Sequence, residues 1–164
     1  MSLLQLFEDD FWDVDINWSK PKLYENVIEY GAELDDDAYL YMITAKFGGY
    51  KPKILYIGKT YQQTVKIRLN QPDHRSRYDN FKKQYSKYKF YVNCGTVEIH
   101  NGKITANRIK EIENILIYSN DTDQAQNVSN SYTHGVKDSY KIKLSGYRHT
   151  LPKELYLGVF AKKI

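Results

Sequence analysis

The chain is best approached through one short run, Leu55-Tyr56-Ile57-Gly58-Lys59-Thr60, which is typical of a strand that ends in a glycine and a lysine. Arg68 and His74 follow, so a lysine, an arginine and a histidine stand within sixteen residues. These side chains suit the hydrolysis of a phosphodiester, which requires a held phosphate, a proton acceptor for water and stabilisation of added negative charge. The run therefore predicts a strand and part of an active site.

The residues before this run predict a β-hairpin. Segment 39–47 is mostly apolar and rich in residues that favour strands. The Gly48-Gly49 pair then supplies a turn, and segment 53–58 returns as the second strand. We therefore expect Tyr41 and Tyr56 to lie on adjacent strands of one hairpin.

Length and composition indicate a single globular domain. The 164 residues are enough for one real hydrophobic core. No apolar run is long enough for a membrane span, and the N-terminus lacks the pattern of a signal peptide. The single cysteine, Cys94, cannot form an internal disulfide. These features predict a soluble cytoplasmic protein.

The net charge of +4 conceals an asymmetry. Residues 1–38 carry eleven acidic residues and two lysines, whereas residues 39–164 carry nine acidic and twenty-two basic residues. A basic body suits a polyanionic partner, and the sixteen tyrosines can stack on bases or hydrogen-bond phosphates. The alternative interpretation is a solvated, lysine-rich surface with ordinary core and sheet tyrosines.

Three segments make up the single domain. Residues 1–38 are predicted to form an acidic N-terminal arm and a helix, with the arm packed on the body or on a second subunit. Residues 39–132 form the core, and residues 133–164 form a C-terminal extension packed on the same domain. Within this extension, the pattern indicates a strand at 139–145 and a short helix or turn at 151–155.

Helical patterns recur along the chain. One helix is expected between Pro21 and Gly31, and an amphipathic basic helix is expected over 76–90. Segment 64–69 fits either a capped helix or a strand. A further helix, capped by Thr105, runs to about Tyr118.

Glu113 occupies an unusual position on the last of these helices. The apolar stripe of the helix contains Ile109, Ile112 and Leu116, and Glu113 lies inside this arc. Glu111 is expected to point to the opposite, solvated face. A carboxylate within a buried stripe must be paired, hydrogen-bonded or bound to a metal. The alternative is a glutamate at the margin of the stripe, or one paired with a buried arginine.

These features occur in the order found in one family of nucleases. Tyr39-Leu40-Tyr41 followed by Tyr56-Ile57-Gly58 resembles the paired motifs of the GIY-YIG nucleases, with Tyr39 where a glycine usually stands. The resemblance covers roughly residues 39–130. It continues downstream through Arg68, His74, Glu113 and Asn127.

The resemblance implies an α+β fold, a small mixed or antiparallel β-sheet flanked by helices. It also implies hydrolysis of DNA phosphodiesters with a single divalent metal ion, Mg²⁺ or Mn²⁺, in each active site. Glu113 would be the sole protein ligand of that ion. Tyr56 would contact or deprotonate the attacking water, and Lys59 would hold the tyrosine or the water in a reactive state.

The remaining site residues implied by the resemblance surround the phosphate. Arg68 would neutralise charge on the scissile phosphate. Tyr41 and His74 would position water or phosphate and assist proton transfer. Asn127 would fix the metal-bearing helix against the following loop, a role for which Asn130 competes.

Among members of this family, the chain resembles the compact restriction endonucleases most. That resemblance implies a homodimer that cuts double-stranded DNA at a specific site, with a possible companion DNA methyltransferase. The alternatives are a low-specificity phage or mobile-element nuclease, or a catalytically silent nucleic-acid-binding module. The basic residues expected to contact DNA are Lys51, Arg75, Arg77, Lys82, Lys83, Lys143 and Arg148.

Overall fold

The structure, a computed structural model, describes residues 11–32, 38–120 and 136–157. These residues form strands and helices of an α+β fold, as predicted. In chain order they are β1 (Phe11–Trp18), β2 (Lys22–Leu23), α1 (Tyr24–Tyr30), β3 (Ala38–Lys46), β4 (Lys53–Lys59), α2 (Val65–Leu69), α3 (Pro72–Gln84), β5 (Lys89–Ile99), α4 (Ala106–Ser119), β6 (Ser139–Gly146) and β7 (Glu154–Leu157). No helix in the described ranges is long and apolar enough to cross a membrane.

All the described strands belong to one mixed sheet. Its order is β4-β3-β5-β1-β6-β7, and the short β2 pairs with β5. β1 and β6 run parallel, whereas the other described strand pairs are antiparallel. β4 therefore lies at one edge of the sheet, next to its hairpin partner β3.

The predicted hairpin is confirmed, and its register sets the positions of the two tyrosines. Tyr41 pairs with Gly58, and Ile43 pairs with Tyr56. The register then shifts so that Thr44 pairs with Ile54, which leaves Leu55 as an extra residue in β4. The irregularity directs Leu55 and Tyr56 into the same hydrophobic core, on the face that also holds Tyr41.

The N-terminal segment differs from the predicted arm. Residues 11–18 form β1, an interior strand that hydrogen-bonds β5 on one side and β6 on the other. Val14, Ile16 and Trp18 are buried and alternate with polar residues, which is the period of a strand. The acidic residues at intervening positions obscure this alternation, so the segment is part of the sheet rather than an arm laid against it.

Several predicted helices are confirmed with different limits. α1 ends at Gly31, whose φ of 82° lies in the left-handed region that favours glycine. Segment 65–69 is helical and is capped by Thr64, whose hydroxyl accepts a hydrogen bond from the backbone of Ile67. The basic helix, α3, begins and ends earlier than expected, because its last predicted residues already belong to β5.

The C-terminal extension adds two strands to the sheet. The strand expected at 139–145 is confirmed as β6. The helix or turn expected at 151–155 is wrong, because β7 begins at Glu154 and pairs antiparallel with β6. Leu155 and Leu157 pack against the core from this strand, so alternate burial on a sheet edge outweighs the local helical pattern.

Two hydrophobic cores cover the two faces of the sheet. One lies under α4 and the other under α1, α2 and α3. α4 contacts β3 and β4, and its Glu111 accepts a hydrogen bond from the Tyr140 hydroxyl on β6 at 2.5 Å. β4 and β6 are separated by three strands in the sheet order, and the sheet is curled.

The prediction that Glu111 points to a solvated face is wrong. Glu111 is buried rather than solvated, and its carboxylate accepts hydrogen bonds from Tyr140 and from the backbone N–H of Lys137 at 2.9 Å. Both partners follow Glu111 by more than twenty residues, so the helical pattern alone does not reveal them. The bonds tie α4 to the segment that leads into β6.

Candidate active site

Tyr41 and Gly58 form the tightest fit in the site. They are opposite each other in the β3–β4 register, on the same face of the sheet. A Cβ atom added at Gly58 would fall well inside van der Waals contact of the Tyr41 hydroxyl. The glycine of the Tyr-Ile-Gly motif is therefore required by the neighbouring strand, because it leaves the space that the phenol occupies.

His74 joins the two tyrosines from α3. Its side chain is fully buried, and its Nε2 lies 3.0 Å from the Tyr41 hydroxyl. The imidazole ring also meets the ring of Tyr56 edge-on, with the ring centroids 5.6 Å apart. The hairpin and α3 therefore bring three of the predicted site residues together.

Arg77 approaches the same cluster from one turn further along α3. Its guanidinium NH1 lies 3.0 Å from Nδ1 of His74, and its guanidinium carbon lies 4.3 Å from the centre of the Tyr56 ring. The sequence predicts Arg77 as a DNA contact, whereas this guanidinium lies against His74 and Tyr56. The helical spacing of His74 and Arg77, three residues apart, is the signal that indicates their contact.

His74 is neutral near neutral pH. Burial lowers its pKa from the usual 6.5 to about 4, and the positive charges of Arg68 and Arg77 act in the same direction. Asp73 opposes this effect, with a carboxylate oxygen 3.9 Å from Nε2. A neutral imidazole can both donate and accept one hydrogen bond, which a protonated ring cannot do.

Arg68 supplies positive charge from α2. Its guanidinium lies 3.4 Å from the carboxylate of Asp73 and also donates to the side chain of Gln71. Three quarters of its side chain is buried, so both partners hold it in place. The planar donors of a fixed guanidinium match the oxygens of a phosphate.

Lys59 and Glu113 form the other half of the site. Lys59 Nζ lies 3.3 Å from Oε2 of Glu113, which is almost completely buried on α4. Lys59 follows Gly58 along β4, so its side chain alternates to the face that α4 covers. β4 is the edge strand of the sheet and ends at Lys59.

The pKa values of the tyrosines link the two halves. Burial raises the pKa of Tyr41 well above its usual value, and the Glu113 charge adds to the rise. Burial also raises the pKa of Tyr56, where the charges of Arg77 and Arg68 lower it and that of Glu113 raises it. Arg68 and Glu113 therefore act on both phenols, so cation and carboxylate lie within electrostatic reach of one small volume.

The donor chemistry at Glu113 fits a hard divalent ion. Among the described residues, no group of three or more His, Cys, Asp or Glu side chains converges on a metal position. Mg²⁺ is commonly held by one or two carboxylates and completes its coordination with water and substrate phosphate. The buried carboxylate of Glu113, which pairs here with the ammonium of Lys59, is an oxygen ligand of the kind that such an ion takes.

Most of the predicted DNA contacts divide between two regions of the surface. Arg75, Lys82 and Lys83 are exposed on α3, the helix that carries His74. Lys143 lies on β6, where it pairs in register with Asp15 of β1 and Glu154 of β7. The predicted contacts therefore come from a helix and from a strand that is far from β4 in the sheet order.

Three predicted residues need separate description. Lys51 is exposed in the turn between β3 and β4. Arg148 donates a hydrogen bond to the backbone carbonyl of Leu151 and so braces its own loop. Asn127 and its competitor Asn130 lie outside the described residues.

A groove next to the site was not predicted. A cavity of about 430 Å³ opens directly after Lys59, between the start of β3 and the loop that leads to α2. Tyr39, Tyr61, Gln62 and Gln63 line it with aromatic faces and amide groups. Such a lining is suited to stacking and to hydrogen bonding with a planar polar group.

Comparison with known proteins gives no relative of this chain. No family model matches it, and neither characterised proteins nor solved structures show significant similarity. The resemblance noted from the motifs therefore stays a prediction.

Proposed function

We propose that this protein is a metal-dependent endonuclease that hydrolyses phosphodiester bonds in double-stranded DNA. The observation that supports it is one small volume bounded by Tyr41, Tyr56 and His74, with the guanidinium of Arg68 and the buried carboxylate of Glu113 in electrostatic reach. Phosphodiester hydrolysis needs a cation for the phosphate, groups that handle the water proton and a ligand for a metal.

Each residue has a role that its contacts support. Arg68 would bind a non-bridging phosphate oxygen and offset the charge that develops during attack, because its guanidinium is held by Asp73 and Gln71. Tyr56 would contact the attacking water, and Tyr41 and His74 would hold the Tyr56 hydroxyl in place. Lys59 would offset the charge of Glu113 and help to position the water.

Glu113 would hold the metal ion, for which Mg²⁺ or Mn²⁺ is the class that its carboxylate favours. When bound, such an ion supplies Lewis-acid stabilisation of the phosphate. The Glu113 side chain is only 4% exposed, so packing keeps the carboxylate at a fixed place, whereas the Lys59 side chain that pairs with it is 39% exposed.

Site-specific cleavage by a homodimer, with a companion methyltransferase, is the biological role that we propose. The groove beside Lys59 would take part of the DNA strand next to the scissile phosphate. A plasmid digest separates the possibilities, because a specific enzyme gives discrete bands and a low-specificity nuclease gives a smear. Light scattering with and without a duplex measures whether two copies act together.

The test of the activity is a plasmid digest with Mg²⁺ using wild type and Glu113→Gln. Loss of the metal ligand should remove several kcal/mol of transition-state stabilisation, so the cleavage rate should fall about a thousandfold. Retained cleavage by Glu113→Gln would exclude the proposed metal site. DNA binding by the wild type without cleavage under any divalent ion would favour a silent binding module.

Glu111→Gln is the matched control. Glu111 is on the same helix and is equally buried, but its carboxylate bonds to Tyr140 and Lys137 rather than facing the site. The substitution should lower stability, because a buried carboxylate in hydrogen-bond contact loses its charge. The cleavage rate per folded molecule should be unchanged.

A further inference from the structure

We propose that Arg77 is a positioning residue, which holds His74 in the Nε2-protonated neutral form and thereby orients a chain of hydrogen bonds toward Tyr56. This series of hydrogen bonds runs from Arg77 through His74 and Tyr41 to Tyr56. Its effect on catalysis rests on the proposed function, whereas the contacts themselves do not depend on it.

The first step concerns the contact between Arg77 and His74. An arginine side chain has only hydrogen-bond donors. Its NH1 lies 3.0 Å from Nδ1 of His74, so Nδ1 must be the acceptor. In a neutral imidazole the proton is then on Nε2. A doubly protonated ring would place a second N–H against the guanidinium, which disfavours the imidazolium.

The second step concerns the other side of the His74 ring. Because Nε2 carries the proton, the 3.0 Å contact between Nε2 and the Tyr41 hydroxyl is donated by His74. The Tyr41 hydroxyl accepts this bond and keeps its own proton available for Tyr56, whose ring centroid lies 6.0 Å from that of Tyr41.

These contacts share one direction. Arg77 donates to His74, His74 donates to Tyr41, and the proton of the Tyr41 hydroxyl is left to point toward Tyr56. Hydrogen bonds aligned in this way reinforce one another in a buried site. All of them stabilise negative charge on the Tyr56 oxygen, and the guanidinium of Arg77 over the Tyr56 ring acts in the same direction.

Gly58 leaves room for the middle of this series of hydrogen bonds. The missing Cβ at this position leaves the space in which the Tyr41 hydroxyl lies between His74 and Tyr56. A phosphate-binding role alone would not require Arg77 to face an imidazole nitrogen and a phenol ring. The proposed role uses both contacts of its guanidinium.

The first test needs no substrate. Long-range proton–nitrogen NMR spectra of the histidine-labelled protein near neutral pH report which ring nitrogen carries the proton. The chain has four histidines, and His74→Gln identifies the signals of His74. We expect a protonated Nε2 and an unprotonated Nδ1. A protonated Nδ1 or an imidazolium would overturn the inference, whether or not the protein cuts DNA.

The second test compares substitutions on α3. Arg77→Met keeps a long side chain over Tyr56 but lacks donors, so a mixture of His74 tautomers should appear. Arg77→Lys retains a charged donor and should restore much of the wild-type spectrum. Arg75→Met is the matched control, because Arg75 bonds to Asn70 and should not affect the His74 tautomer. A tautomer that is the same in wild type and Arg77→Met would contradict the positioning role.

Kinetics of DNA cleavage separate positioning from direct DNA contact. A positioning role predicts that Arg77→Met lowers kcat about a hundredfold with little change in KM. A higher KM at unchanged kcat would assign Arg77 to DNA binding and overturn the inference. If the wild type cuts no DNA, the proposed function fails, while the spectra still decide the tautomer of His74.

Discussion

At the scale of single residues, one missing methyl group shapes the centre of the site. Gly58 has no side chain, and the Tyr41 phenol from the neighbouring strand occupies the free space. Tyr41 is fully buried there, so it has no alternative position that avoids a larger residue at 58.

Gly58→Ala should therefore damage both packing and activity. Overpacking of a buried site lowers the free energy of unfolding by about 1–3 kcal/mol, which urea unfolding measures. Displacement of the Tyr41 hydroxyl should also reduce cleavage. Gly49→Ala is the control, because a Cβ at Gly49 meets nothing within 4 Å and the stability should be unchanged. Wild-type stability for Gly58→Ala would show that Tyr41 can move aside.

His74 predicts a dependence of stability on pH. Its pKa is lowered from 6.5 to about 4 in the folded state, so the unfolded chain binds a proton first as the pH falls. This contribution is fully present above about pH 6.5 and is lost as the pH falls toward about 4. Urea unfolding across this pH range measures the effect. The free energy of unfolding of His74→Gln should depend less on pH than that of the wild type.

His100 provides a control of opposite sign. A hydrogen bond to Asp15 raises the pKa of this exposed histidine. The stability it contributes is present below the unfolded pKa and is lost as the pH rises through the folded pKa. His100→Gln should thus change the pH dependence of the free energy of unfolding in the direction opposite to His74→Gln. If both substitutions changed the pH dependence of stability by the same amount and in the same direction, the buried position of His74 and the ion pair of His100 would not be the cause.

At the scale of elements, the sequence predicts strands and helices better than it predicts their neighbours. The hairpin, β6 and α4 follow from local alternation, turns and caps. The interior position of β1 does not, because Val14 pairs with Ile99 on one side and Ile142 on the other. Those partners lie far along the chain, and no local pattern specifies such a register.

The site residues also differ in how far the local sequence predicts them. The motif order and the helical arc predict Tyr41, Tyr56, His74 and Glu113 as members of a site. The structure brings the first three into contact, and Glu113 pairs with Lys59 at the end of β4. The function of Arg77 depends on the direction of its guanidinium, which composition does not specify. A basic helix predicts a charged surface, whereas this arginine faces inward to an imidazole.

β1 should be essential to folding. Ile16 is completely buried in the core under α4, so Ile16→Ala should lower the free energy of unfolding by about 2–5 kcal/mol. Asn17→Ala is the control on the same strand, because the Asn17 side chain is exposed and its loss should change stability by less than about 0.5 kcal/mol. Chemical unfolding measures both. If Ile16→Ala and Asn17→Ala lowered the free energy of unfolding equally, Ile16 would not be a buried core residue.

At the scale of the whole molecule, the basic residues differ in their surroundings. Lys83 is exposed on α3, the helix that also carries His74. Lys143 pairs in register with Asp15 and Glu154 on the adjacent strands, so acidic residues neighbour it on both sides. If DNA approaches the protein along α3, Lys83 lies on its path.

DNA affinity measured at several salt concentrations tests this arrangement. Each lost phosphate contact reduces the slope of log affinity against log salt by about one. We expect Lys83→Gln to reduce the slope by about that amount and Lys143→Gln to reduce it less. Equal reductions would mean that DNA also contacts the β6 side of the sheet, as the sequence predicts.

The parallel pairing of β1 with β6 has a consequence for synthesis of the chain. Trp18 pairs with Gly146, and at about 5–20 residues per second the ribosome needs roughly 6–26 seconds to make the residues between them. During that time β1 lacks its partner β6, so one of its edges is open to association with other nascent chains. Asp13 and Asp15 interrupt its apolar residues with charge, which opposes such association. The acidic residues that conceal this strand in the sequence thus protect it until β6 emerges.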